Sequence, residues 1–253
     1  MTRPPARAAF FVGYLPMPGR LALFLWVLLP LLIGLVAGGA LALALGNAGP
    51  DSGGRLPGNV TLTGIVQLEP YPMLRMAPDA DHPEPRTVLV IQPGKNGAQR
   101  RLAAFVGQTV AANGFFYERD GALLFELFGN RDAVQAVERV PGFAPAPERP
   151  LGSHRLTGEI ADPKCYLGAM RPGERKPHMM CANRCLLGGI PPMLAVHDGA
   201  GRLEMVLLLG ADGAATLDPF QDWTSLPATV EGAVSALDDL LIMRVADGGV
   251  VGL

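Results

Sequence analysis

The chain contains one long run without a charged residue, from Leu21 to Gly46. A helix of that length would measure about 39 Å at 1.5 Å per residue, enough to cross a hydrocarbon core of about 30 Å. The run therefore predicts a transmembrane helix over residues 21–46. A cleaved signal peptide is the alternative, since Ala42-Leu43-Ala44 resembles a cleavage site, but its apolar core would be only about 7 to 15 residues long.

The charges on either side of this run predict its orientation. Arg3, Arg7 and Arg20 lie in the flank 1–20 without an acidic residue, and Asp51 follows the run. The positive-inside rule then predicts a single-pass protein of the inner (cytoplasmic) membrane, with a cytoplasmic N-terminus and periplasmic C-terminal domains. Gly34 and Gly38 form a GxxxG pair, which would allow a second helix to pack closely against the first.

Net charge and motif content exclude several functions. The chain has 21 basic and 23 acidic residues and a formal charge of −2, so no general positive field is present to attract nucleic acid. The sequence has no Walker loop, GxGxxG, Ser/His/Asp order or paired-carboxylate pattern, which leaves hydrolase and nucleotide chemistry without support. We expect an accessory or electron-transfer subunit rather than an independent enzyme.

The remainder of the chain repeats one small β unit. Alternating residues at 60–66 and 154–160 predict matching first strands that share the tripeptide Leu-Thr-Gly, and a hairpin around 119–121 has a counterpart at 237–245. We predict a tether at 47–58, a first domain at 59–130, a linker at 131–152 and a second domain at 153–253. Residues 68–85 are expected to form a proline-rich loop between the first two strands of the first domain.

About five strands per copy, a glycine in the first strand and a closing hairpin resemble the OB-fold, a Greek-key β-barrel. The predicted fold class is therefore mainly β, with an N-terminal transmembrane helix and two small OB-like barrels. The second barrel carries a helical Cys/His insertion at 162–192.

This insertion, DPKCYLGAMRPGERKPHMMCANRCLLGGIPP, holds all three cysteines of the protein. If residues 177–187 form one helix, the spacing of His178, Cys181 and Cys185 places them on one face, and Cys165 could supply a fourth ligand from the preceding loop. The sequence thus predicts a Cys3His metal site. After the helix, Gly188 and Gly189 could expose backbone N–H groups to an anion.

The identity of the metal stays open at this stage. Three cysteines and a histidine suit structural zinc, and an iron-sulfur cluster could use the same ligands. Copper is a third option on the same footing as iron-sulfur. The Cys-x-x-x-Cys spacing is similar to that of cytochrome oxidase subunit two and copper-delivering thioredoxin-like chaperones, but the match is partial, because Gly189 stands where the oxidase has a histidine. Thioether sulfurs lie nearby in the sequence at Met170, Met179, Met180 and Met193. Axial ligation of a partner's haem by His178 is a further option.

The whole insertion resembles a signature of membrane-anchored exported bacterial proteins, a resemblance that implies no activity. We expect a periplasmic metal-binding or redox accessory subunit beside an integral-membrane or periplasmic redox protein. The alternatives are an assembly protein in which Cys165 bonds Cys181 or Cys185, and a thiol-disulfide enzyme, although a CxxC motif is absent. A second cluster around His82, with Asp79, Asp81 and Glu84, is interpreted as an exposed polar loop rather than a metal site.

Overall fold

The structure is a computed structural model that describes residues 17–46 and 53–253. Arg3, Arg7 and Asp51, on which the predicted orientation depends, lie outside the described residues. The chain divides into two units, Met1–Pro50 and Asp51–Leu253.

The first unit contains the helix α1 (Gly19–Gly46), which includes Pro30. Within the part of the chain that the structure describes, this is the one helix long and apolar enough to cross a membrane, with a mean hydropathy of 2.6. Its side chains are exposed along nearly the whole length, as lipid-facing apolar residues would be. The helix could therefore span a bilayer, and the predicted packing role of Gly34 and Gly38 stays a prediction.

Over its described residues, 53–253, the second unit contains thirteen strands and two α-helices, besides short 3-10 and π-type turns. The helices are α2 (Gln99–Leu102) and α3 (Met179–Leu187). The strands of the first half are β1 (Gly54–Arg55), β2 (Val60–Gln67), β3 (Met73–Met76), β4 (Arg86–Gln92), β5 (Asn96–Gly97), β6 (Thr109–Arg119), β7 (Ala122–Leu127) and β8 (Val134–Ala136). Those of the second half are β9 (Arg149–Ala161), β10 (Met193–His197), β11 (Leu203–Leu209), β12 (Pro227–Leu237) and β13 (Leu240–Gly252).

Each half closes into a five-stranded barrel with the same strand order. In the first, β2, β3, β4, β7 and β6 pair in turn, and β6 pairs with β2 to close the ring. In the second, the order is β9, β10, β11, β13 and β12. In each barrel one pair of neighbours is parallel, β4 with β7 in the first and β11 with β13 in the second. All other neighbours in the two rings are antiparallel. This arrangement confirms the predicted fold class of two OB-like barrels after an apolar helix.

One of the five strands of the first barrel was absent from the sequence prediction. Residues 68–85 were expected to form a loop, but β3 lies within them and provides the second strand of the first barrel. All four residues of β3 are buried, so the segment lacks the alternation of apolar and polar residues by which a half-exposed strand is recognised. Prolines on both sides of it, at 70, 72 and 78, added to its resemblance to a loop.

The two barrels pack against each other through a shared apolar core. One cluster of buried residues fills the first barrel and another fills the second. A third cluster joins them and includes Met73, Ile91 and Leu124 from the first barrel with Leu207 and Ile242 from the second. The seam between the barrels is therefore a continuous hydrophobic interface, in which Cys165 and Cys185 are also buried.

A buried ion pair crosses the same seam. The Arg75 guanidinium on β3 donates to the Asp238 carboxylate at 2.9 Å, and the two side chains are only 5% and 3% exposed. Asp238 sits with φ of 56° in the β12–β13 turn, and the Thr87 hydroxyl also donates to its carboxylate at 2.8 Å. These buried groups satisfy one another's hydrogen-bonding capacity. Because the hydrogen bonds run from the first barrel to the second, they hold the two barrels in one relative orientation.

Candidate metal centre

Cys165 is positioned by the end of the first strand of the second barrel. Strand β9 ends at Ala161, and a single π-type turn, Cys165–Ala169, follows. The Asp162 carboxylate, 1% exposed, accepts a hydrogen bond from the Cys165 backbone N–H at 2.9 Å. Arg119 of the first barrel secures the same turn by donating to the Tyr166 carbonyl at 3.2 Å.

The other three predicted ligands lie on one short helical segment. A 3-10 turn, Lys176–His178, contains Pro177 and leads directly into α3, whose C-cap is Gly188. Proline is favoured in the first turn of a helix because its missing N–H has no intrahelical partner there. The spacing places His178 and Cys185 inside the protein, whereas Cys181 is partly exposed.

These residues meet in two overlapping groups. Ligand atoms of Cys165, His178 and Cys181 all lie within 4.8 Å of one another, and so do those of Cys165, Cys185 and Asp162. Cys165 belongs to both groups, which lie between the π-type turn and α3. The four residues predicted from the sequence are thus gathered in one region, although Cys185 lies in the second group rather than the first. Asp162 is an additional candidate ligand that the sequence analysis did not single out.

The separations fit a single ion better than a multi-iron cluster. Two donors bound to one ion at about 2.0 to 2.3 Å with tetrahedral angles lie about 3.3 to 3.8 Å apart. Groups whose members are within 4.8 Å need only small rotations to reach that spacing. In an iron-sulfur cluster each protein ligand binds a different iron or shares an iron with one other ligand, so the ligand atoms must lie farther apart.

Asp162 also orients the histidine. Its second carboxylate oxygen lies 3.1 Å from His178 Nε2, and both side chains are buried. A carboxylate accepts from a ring N–H, so this contact places a proton on Nε2, and in the neutral ring Nδ1 then carries the lone pair. Within residues 17–46 and 53–253, Nδ1 has no hydrogen-bond partner. A carboxylate behind a ligating imidazole is a recurrent feature of metal sites because it fixes the tautomer and raises the basicity of the ring.

The sulfur atoms of the two buried cysteines, Cys165 and Cys185, lie within 4.8 Å of each other, and all three cysteines are free thiols. Hydrogen bonding with Cys185, burial and the Asp162 charge all raise the pKa of Cys165. The same hydrogen bonding lowers the pKa of Cys185, against the opposing effect of burial. The distance between the two sulfur atoms places them within reach of a shared ion or of a disulfide bond.

A lysine of the first barrel contacts two of the cysteines. Lys95, in the turn between β4 and β5, has its ammonium 2.5 Å from Cys181 Sγ and 3.8 Å from Cys185 Sγ. Its hydrogen bond to Cys181 raises the pKa of Lys95. Sequence patterns do not indicate this contact, because Lys95 is distant along the chain and lies in the other barrel.

The predicted glycine turn joins the two barrels. Gly188 and Gly189 donate their N–H groups to carbonyls of the last turn of α3, at 3.0 and 2.9 Å. Their own carbonyls accept from the Gly97 N–H at 2.9 Å and from the Gln99 amide at 3.1 Å. An anion-binding role for this turn stays a prediction, and it would require the two N–H groups to leave their present acceptors.

Lys164 anchors the insertion from its other side. Its buried ammonium lies 2.5 Å from the Glu126 carboxylate and donates to the carbonyl of Gly94 at 2.7 Å. Since Gly94 and Lys95 belong to the same turn, the contact holds that turn against the cysteines. The other polar cluster remains on the surface: His82 is paired with Asp79 at 3.2 Å and is exposed.

No protein-family model matches the chain, and no curated protein matches it. Among solved structures, the chain is similar to a deletion mutant of the single-stranded DNA binding protein from Thermus aquaticus. The two are 16% identical, and the alignment covers 80% of this chain and 95% of that protein with a TM-score of 0.21. A likeness at that level carries no argument about fold or function.

Proposed function

We propose that this protein is a membrane-anchored metal-binding protein that serves as a redox accessory subunit outside the cytoplasm. The observation that carries the proposal is the convergence of Cys165, His178 and Cys181 within 4.8 Å. Cys165 lies in the π-type turn after β9, and His178 and Cys181 lie in the helical segment that ends with α3. Independent supports that aim three such donors at one point are typical of a site for one transition-metal ion.

The surroundings of these donors support the same proposal. The contact of Asp162 with Nε2 leaves Nδ1 of the neutral His178 ring available, and Cys185 and Asp162, whose ligand atoms lie within 4.8 Å of that of Cys165, are candidate fourth ligands. Buried thiolates need a positive partner, which Lys95 supplies in part and a metal ion would supply fully. The shell of buried groups around the donors would restrict water and hold the ligands in place.

The proposed location rests on α1 and on the basic flank before it. A helix of this length and hydropathy could hold the barrels at a bilayer surface. Membrane attachment beside a soft-ligand site favours an integral-membrane or periplasmic oxidoreductase as the partner. No nucleic-acid role is proposed, since the net charge of the chain is −2.

Elemental analysis of the full-length protein purified from its own membranes tests the proposal. We expect about one metal ion per chain, lost on His178→Asn and on Cys165→Ser. His154→Asn, which changes an exposed histidine of β9, is the matched control and should retain the metal. Metal-free protein, or full metal content in both site variants, would contradict the proposal.

The second candidate is a structural or assembly protein whose barrels bind a partner and whose cysteines form a disulfide. It is favoured by one observation, the proximity of the buried sulfur atoms of Cys165 and Cys185, which lie within 4.8 Å of each other. Alkylation of the denatured, unreduced protein separates the two candidates. One reactive thiol without metal supports the disulfide, whereas three reactive thiols after chelation support the metal site.

A further inference from the structure

A methionine lies against the outermost predicted ligand. The Met170 sulfur is 3.4 Å from Cys181 Sγ, a separation close to that of two sulfur ligands on one ion. Met170 directly follows the π-type turn that carries Cys165, so three of the sulfur atoms come from two adjacent supports. The side chain is 46% exposed although it is apolar, which places its thioether at the solvent edge of the site.

We infer that the metal bound at this site is copper(I), with Met170 as a thioether ligand beside Cys165, His178 and Cys181. The inference rests on the proposed metal-binding function and specifies its ligand. Thioethers select soft ions such as copper(I), whereas the protein ligands of zinc are thiolate, imidazole and carboxylate. A set of two thiolates, one imidazole and one thioether therefore favours copper(I) over zinc.

The charge near the site favours the same ion. The Lys95 ammonium lies 2.5 Å from Cys181 Sγ, so an ion bound to that sulfur is held close to a fixed positive charge. Coulomb repulsion scales with the product of the charges, which makes the repulsion half as large for a singly charged ion as for a doubly charged one. Lys95 therefore disfavours a divalent ion more strongly than copper(I).

The exposure of the donors indicates a route for the ion. Cys165 and His178 are buried, whereas Cys181 and Met170 reach the surface. An ion would first meet the outer thiolate and thioether and then take the inner thiolate and imidazole by ligand exchange. Each cysteine thiol that binds the ion releases its proton to the solvent, and no redox step is required.

Competition titrations with two metals test this inference. The full-length protein is reduced in detergent without oxygen and titrated with copper(I) against a chromophoric copper(I) chelator, and separately with zinc(II) against a zinc indicator. We expect Met170→Leu to weaken copper(I) binding by about tenfold or more while leaving zinc binding unchanged. Met180→Leu is the matched control, because Met180 is adjacent to Cys181 in sequence but 82% exposed, and it should alter neither affinity.

Each of the other outcomes refutes one part of the inference: the Met170 ligand, the identity of the ion, or the metal site itself. Unchanged copper(I) affinity in Met170→Leu, or equal weakening of both metals, refutes the role of Met170 as a copper ligand. Tighter binding of zinc than of copper(I) by the unaltered protein refutes the choice of ion while leaving the metal site intact. Failure to bind either metal refutes the proposed function itself. X-ray absorption of the copper(I) form gives a second readout, since Met170→Leu should remove one sulfur from the copper shell.

Discussion

Removing the charge of Asp238 should weaken the seam between the barrels and reduce the stability of the whole unit 51–253. Asp238→Asn keeps the shape of the side chain, and asparagine tolerates the φ of 56° that this position requires. The change leaves the Arg75 guanidinium buried without its carboxylate, because that side chain is only 5% exposed. Asparagine can still accept from the Thr87 hydroxyl, so the loss is confined to the charge.

The magnitude follows from the burial of the pair. Breaking a buried ion pair costs about 3 to 5 kcal/mol. Arg75 keeps two neutral acceptors, the Ala146 carbonyl at 2.8 Å and the Gln67 amide oxygen at 3.3 Å, so we expect the lower end, about 3 kcal/mol. For a unit of this size, that loss corresponds to a fall in Tm of about 6 to 12 °C.

Thermal and urea unfolding of the full-length protein in detergent, followed by circular dichroism, measures the effect. Arg202→Met is the control, since its ion pair with Asp198 lies on the surface and its side chain is 77% exposed, and it should leave Tm unchanged. The double variant Arg75→Met with Asp238→Asn should recover part of the loss, because no unpaired charge remains. A loss below about 1 kcal/mol in Asp238→Asn would show that water reaches the seam and that the barrels are not held by this pair.

Three further outcomes are expected. Lys164→Met should lower Tm, because it leaves the buried Glu126 carboxylate unpaired, and a Tm equal to that of the unaltered protein would count against the anchoring role. Hydrogen bonds from Arg244 hold the pKa of Glu148 below its ordinary value. The contribution of this carboxylate to stability is therefore fully present above the unfolded pKa of about 4.3 and is lost as pH falls through the lower folded pKa. Glu148→Gln should therefore flatten the fall of Tm with pH between the unfolded and the folded pKa, and an unaltered slope there would contradict this assignment. Gly97→Ala should destabilise the seam, because a Cβ there would overlap the carbonyl of the glycine turn after α3, as thermal unfolding would detect.

Much of the candidate site could be predicted from sequence because its ligands are close together along the chain. Helical spacing relates His178, Cys181 and Cys185 directly, and Pro177 and Gly188 mark the limits of the helical segment. Asp162 and Lys95 could not be found in this way. Asp162 resembles an ordinary turn residue before a proline, and Lys95 resembles a solvated lysine in a hairpin.

The repeat, the apolar helix and the ligand cluster are local or periodic patterns, and the sequence by itself determined them. It thereby fixed two β-barrels behind a helix that could span a bilayer. The tertiary structure decided that the barrels share one core, that β3 lies in an apparent loop, and that Lys95 meets the cysteines of the other barrel. These features depend on burial and on contacts between distant segments, which arise only when two closed barrels pack together and which leave no periodic signal along the chain.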